Sequence, residues 1–105
     1  MMSSKSLNSK ISESSIVVAA VDQISSDLGG EAVILNLKSG VYHGLNEVGA
    51  RIWNFIQQPK VVKDIKHKLL EEYEVEPEVC MRDILALLEE LKAVELIKVN
   101  NETVA

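Results

Sequence analysis

The chain has a single cysteine, Cys80, among its 105 residues, so no disulfide can form within it. That scarcity suits a reducing compartment and sets aside the small secreted scaffolds held together by cross-links. Aromatic residues are almost as rare: Tyr42, Trp53, Phe55 and Tyr73 are all there are. The core must then be assembled mainly from Val, Ile and Leu, and so small an interior has little room to enclose a large cofactor. Long hydrophobic runs are missing as well. The run Ile16-Val17-Val18-Ala19-Ala20-Val21 is six residues, against the ~20 that span a bilayer. Residues 1–10 are polar, rich in Ser and Lys, and lack the apolar region of a secretory signal. The expectation is a soluble cytoplasmic protein with no membrane partner.

Positive charge is short too. The 11 basic side chains are outnumbered by 16 acidic ones, for a net charge of −5, which weighs against a nucleic-acid surface. The stretch 74–95 is strongly acidic, with Glu74, Glu76, Glu78, Asp83, Glu89, Glu90 and Glu95 against Arg82 and Lys92. The stretch before it is basic, with Lys60, Lys63, Lys66 and Lys68 against Asp64.

Catalytic groups are sparse. His43 and His67 fall on different elements with no partnering signature, and Cys80 lies among leucines, where a free thiol behaves as a small buried hydrophobe. No Cys/His pairs stand at zinc spacing and no phosphate-binding glycine loop occurs. The pairs Glu71-Glu72 and Glu89-Glu90 read as solvated helix faces. Neither a catalytic residue, a metal site nor a cofactor is expected, and the chain reads as a binding module rather than an enzyme.

What is present is a pattern of elements. Residues 1–15 read as a disordered tail, 16–99 as one domain and 100–105 as a second tail. Residues 16–21 are β-branched and continuous enough for a buried strand. Ser25-Ser26-Asp27-Leu28-Gly29-Gly30 reads as a loop by composition. Residues 32–37 and 41–45 read as a hairpin turning at Lys38-Ser39-Gly40. Asn46 then suits a helix N-cap. Val48, Ile52, Phe55 and Ile56 make a helical stripe that stops before Pro59. Ile65, Leu69 and Tyr73 mark a second helix. Pro77 fits the first position of a third, whose apolar face carries Cys80, Ile84, Leu87, Leu88 and Leu91. The expected class is α+β: a three-stranded antiparallel sheet followed by three helices, resembling a winged helix-turn-helix.

That arrangement admits DNA binding as one reading, although the helix that would read the groove is the acidic one. Another reading uses the short strand Val41-Tyr42-His43-Gly44-Leu45. At a sheet edge beside an apolar groove, its free backbone groups could accept an added peptide strand.

The segment from Ser26 to Trp53 bears on the choice. It has an apolar strand, a Gly-x-Tyr turn at Gly40 and Tyr42, then Leu45-Asn46 leading to Gly49 and Ile52-Trp53, with Asp83-Ile84 opening a Leu-rich run downstream. In this order and spacing it resembles the PqqD-like family of precursor-peptide recognition proteins, most of all the stand-alone members of lasso-peptide pathways. The resemblance covers residues 16–98. It implies non-catalytic binding of the leader of a ribosomally made precursor peptide, which is then presented to a leader peptidase or other maturation enzyme. A PqqD-type chaperone serving a radical-SAM enzyme in a cofactor pathway is the related alternative. Carried over by position, the resemblance puts peptide backbone contacts on Val41, Tyr42, His43 and Gly44, and the groove wall near Met81, Asp83, Ile84 and Leu87. Family members often carry Gly after the third helix; here Glu95 holds that place, and the helix is expected to run further.

Overall fold

The computed structural model describes residues 10–101. They form nine elements: β1 (Ile16–Ala19), β2 (Gln23–Leu28), β3 (Glu31–Asn36), β4 (Tyr42–Leu45), α1 (Glu47–Phe55), β5 (Lys60–Val61), α2 (Val62–Glu72), α3 (Pro77–Ala93) and β6 (Ile97–Asn100). The α+β class holds, with three helices and three-stranded antiparallel sheets, but the strands are shared out differently from the expectation. One sheet has the order β2-β3-β4 and the other β5-β1-β6. The first apolar strand therefore does not join the hairpin. It pairs with the C-terminal strand instead, Ile16 opposite Asn100 through Ala19 opposite Ile97.

The third strand beside the hairpin is β2, the segment whose composition reads as a loop. Its residues are exposed on both faces apart from half-buried Gln23, so it carries no apolar alternation to signal a strand. What makes it one is the ladder to β3, which runs from Gln23 opposite Asn36 to Leu28 opposite Glu31. Gly29 and Gly30 close that ladder at φ +67° and +100°. A two-residue turn with both φ positive matches the strands' right-handed twist, and glycine adopts it without a Cβ clash.

The expected tails also shift. Residues 1–9 and 102–105 lie outside the described part, but 10–15 and 100–101 pack as part of the domain. Ile11 is 4% exposed and its amide donates to Glu89 Oε2 at 2.9 Å. Ser15 is 1% exposed, and its hydroxyl bonds to Asn101 Oδ1. Asn101 Nδ2 donates to the Lys10 carbonyl at 3.1 Å. A lone isoleucine in a polar stretch shows no period, so sequence patterning passes over it.

One core holds both sheets to the helices. Ile34 from β3, Ile56 after α1, Ile65 and Leu69 from α2, Ile84 and Leu88 from α3, and Leu96 before β6 are all fully buried. On β3 the buried positions alternate, Ala32, Ile34 and Asn36, so this face of the hairpin sheet turns toward the helices. Arg51 of α1 clamps Glu72 of α2 with Nε 2.9 Å from Oε1 and a second contact from Nη2 to Oε2. Its guanidinium also lies 4.6 Å from the Phe55 ring centroid. The hydrogen bond from Arg51 holds the Glu72 carboxyl below its ordinary range.

Helix α3 does not run on through Glu95. It ends at Ala93, and Glu95 takes the left-handed conformation at φ +64°. The Glu95 amide donates to the Lys92 carbonyl at 3.0 Å and the Leu96 amide to the Leu91 carbonyl at 2.9 Å. This is the double closure that usually employs glycine. Burial of Leu96 and the pairing of β6 with β1 require the chain to turn here, and that requirement outweighs the preference of glutamate. Glu95→Gly should therefore stabilise the fold by about 1 kcal/mol, since left-handed backbone costs an L-residue about that much. The exposed Lys38–Glu95 pair that is lost, at 3.6 Å, contributes little. A rise in the thermal midpoint is the expected result, read by circular dichroism.

Candidate functional site

Among the described residues β4 has one ladder partner, β3, so its other side is an open edge. The register shows which backbone groups are free there. Asn36 stands opposite Val41, with its amide donating to the Val41 carbonyl at 3.0 Å. Antiparallel pairs alternate between bonded and non-bonded, so the pairs Ile34–His43 and Ala32–Leu45 also point their backbone groups at each other. Tyr42 and Gly44, opposite Leu35 and Val33, present their N–H and C=O groups outward. Of the four positions expected to offer backbone contacts, the ladder leaves these two free. The Val41 amide is turned to Ser39 Oγ at 3.2 Å.

Side chains follow the same alternation. Leu45 is buried and His43 half-buried on the face that turns to the helices, whereas Tyr42 is 67% exposed on the outer face. Asn46 then caps α1, its side-chain oxygen accepting from the Gly49 amide at 2.9 Å. Gly49 suits this close approach: a Cβ would meet both Asn46 Oδ1 and Leu45 Cβ at 3.3 Å, tighter than ordinary contact. The end of the edge strand is thus drawn tightly onto the first turn of α1.

Between this corner and α3 runs a groove of about 660 Å³. Gly44, Leu45, Val48, Gly49 and Ile52 line one wall, and Asp83, Ile84, Ala86, Leu87 and Glu90 the other. Tyr73, Val75, Leu69 and Cys80 close it off between α2 and α3. Of the expected wall residues, Asp83, Ile84 and Leu87 are in place. Met81 is not among those lining the groove: it is half-buried and packs against the core, because three residues back from Ile84 the helix has turned it onto a neighbouring stripe. Sequence patterning missed the α1 wall, since Val48 and Ile52 look like ordinary core positions. The available signal was excess, as Val48 and Val75 are apolar yet more than a third exposed.

The lining is apolar with an acidic rim. Among the described residues Glu74, Asp83 and Glu90 are its charged members, and no Lys or Arg lines it. Asp83 has Arg82 3.9 Å away, with both side chains about 70% exposed, a contact too solvated to neutralise it. Among the described residues no group of three or more His, Cys, Asp or Glu is placed to hold a metal ion. None of the described helices is long and apolar enough to cross a membrane.

The family model for coenzyme PQQ synthesis protein D (PqqD) matches residues 31–97, which run from the hairpin through α3 into β6. The chain belongs to the PqqD family. Two solved structures are similar to this PqqD-family chain over nearly their whole lengths. TbiB1 in complex with the TbiA(beta) leader peptide is 29% identical, with a TM-score of 0.72 over 82% of this chain and 98% of that one. Lasso peptide synthetase B1 complexed with the leader peptide is 28% identical, with a TM-score of 0.70 over 78% of this chain and 96% of that one. No curated protein sequence matches the chain.

Cys80, at the groove's inner end, is 5% exposed. Burial, reinforced by the nearby Asp83 charge, pushes its thiol up from the ordinary value. A thiol so protonated and enclosed is a poor nucleophile. Native protein at neutral pH should therefore react with a thiol reagent only as fast as it opens, and denatured protein at once. Rapid labelling of the native protein would show that the groove floor is open to solvent.

Proposed function

We propose that this protein binds the leader of a ribosomally made precursor peptide as a fourth strand on the hairpin sheet, and presents it to a maturation enzyme such as a leader peptidase. The observation that carries this reading is the open edge of β4 running directly into an apolar groove. Its support from likeness is that both similar solved structures are leader-peptide complexes. The protein performs no chemical step in this reading; it supplies a site. The encounter takes place in the cytoplasm, where the precursor is made.

The physics of such capture follows from the ladder. An added strand bonds to the outward groups of Tyr42 and Gly44, and these backbone contacts give affinity without regard to sequence. Its residues opposite His43 and Leu45 turn toward the helices. There, an apolar side chain leaves water for the space bounded by Ile52, Ile84 and Leu87, and adds roughly 1.5–3 kcal/mol if fully buried. The acidic rim favours a basic residue nearby and disfavours DNA phosphate. A leader that is disordered beforehand must be ordered on binding, so the gross interaction exceeds the net affinity.

Two substitutions test the parts separately, with affinity for a synthetic leader peptide, from the precursor encoded beside the gene, measured by fluorescence anisotropy. Tyr42→Pro removes an outward donor at an edge position that tolerates proline. It should cost about 1 kcal/mol or more of binding, whereas Val41→Pro should cost less because that amide already donates to Ser39 Oγ within the turn. Equal loss in both would contradict the assigned ladder. Asp83→Lys should weaken a leader carrying a basic residue, and the weakening should shrink as salt rises. Duplex DNA in the same assay should give no response at physiological salt; saturable DNA binding without leader binding would overturn the proposal.

A further inference from the structure

A groove formed by a strand and a helix recognises a peptide only if the two walls are held at the right separation. Here one buried side chain connects them. Asn36, 4% exposed, ends β3 at the hairpin turn. Its Oδ1 accepts from the amides of Lys38 and Ser39 at 2.9 and 3.3 Å. Its Nδ2 donates to the carbonyl of Val94 at 2.7 Å. Val94 caps α3, the helix that carries Asp83, Ile84 and Leu87. The same amide thus shapes the turn that leads into β4 and fastens that turn to the end of the opposing helix.

The core gives no reason for a polar residue at this position. Ala32 and Ile34 precede Asn36 on the same face of β3 and are apolar. A buried amide is tolerated only when its hydrogen bonds are made. Asn36 also answers a need on the far side, since the last carbonyls of a helix have no partner within it.

We infer that Asn36 is a positioning residue for leader recognition: its bond to Val94 holds β4 and α3 at the separation the leader requires before the leader arrives. The inference rests on the leader-binding reading of the groove. Without the bond the hairpin and helix sample other separations, and only the fraction with the correct groove can bind. Apparent affinity falls by that fraction, and the loss appears chiefly in association because the contacts of the leader itself, once made, are the same.

Asn36→Asp separates the two jobs of the side chain. Its carboxylate still accepts from the Lys38 and Ser39 amides, but in place of a donor it offers Val94 a second acceptor. Ser15→Ala serves as a control, since Ser15 is a buried hydrogen-bonded side chain just before β1 of the other sheet. The same synthetic leader peptide is followed by stopped-flow fluorescence well below the thermal midpoint of each variant. For Asn36→Asp we expect kon to fall about tenfold, corresponding to about 1.4 kcal/mol, with koff nearly unchanged. Ser15→Ala should leave both rates as they are. An unchanged kon in folded Asn36→Asp overturns the inference, as does an equal fall in Ser15→Ala. If the wild type itself does not bind the leader, the leader-binding reading fails first.

A second measurement uses only the wild-type protein and is independent of whether a variant folds. The Asn36 side-chain amide protons, followed by NMR, should be protected from solvent exchange in the free protein. Protection that appears only after leader is added would overturn the inference, because the walls would then be fastened by the ligand.

Discussion

A β-sheet in a small domain must end somewhere, and each end leaves backbone donors and acceptors without partners. In this protein the hairpin sheet ends at β4, and the groups left over are those of Tyr42 and Gly44. Most proteins hide such an edge, because it invites pairing with any extended chain. Here it is only four residues long and passes straight into a groove whose other wall is a helix. Under the proposed function, a partner must satisfy backbone geometry and side-chain shape together, which would turn a hazard into a selective site.

The rest of the fold keeps that edge where it is. The β2-β3 ladder supports the hairpin from behind, and the alternation of Ala32, Ile34 and Asn36 presses it onto the helices. Asn46 and Gly49 draw the end of β4 onto α1, while the second sheet and the left-handed turn at Glu95 fix where α3 stops. Both walls of the groove thus rest on buried contacts, although its mouth is open to solvent. A rigid frame reduces the ordering cost of binding, so more of the contact energy appears as affinity.

Charge refines the picture without creating it. The acidic side chains Glu74, Asp83 and Glu90 stand at the rim of an apolar site, where exposed charges act over about a Debye length and are weakened by salt. In the proposed function they would steer and discriminate more than they bind. A helix-turn-helix built for DNA would need the opposite sign on its later helix.

The helices, the starts of α1 and α3, and the hairpin were legible in the sequence because each is a local matter. Asn46 caps the helix that follows it, Pro77 opens α3, and the stripe through Ile84, Leu88 and Leu91 repeats with helical period. Asp83, Ile84 and Leu87, which the family resemblance pointed to, lie along the groove. Beyond those, sequence patterning was blind for identifiable reasons. A strand such as β2, exposed on both faces, shows no alternation, and its pairing with β3 exists only across space. The destination of residues 16–19 depended on a strand some eighty positions away. Glu95 adopts a backbone conformation that its own chemistry disfavours, because Leu96 must be buried and β6 must reach β1. Local periodicity thus determined the elements of this protein, whereas the free edge, the second wall of the groove and the bond between Asn36 and Val94 were decided by tertiary packing, which alone brings distant backbone groups within hydrogen-bonding distance.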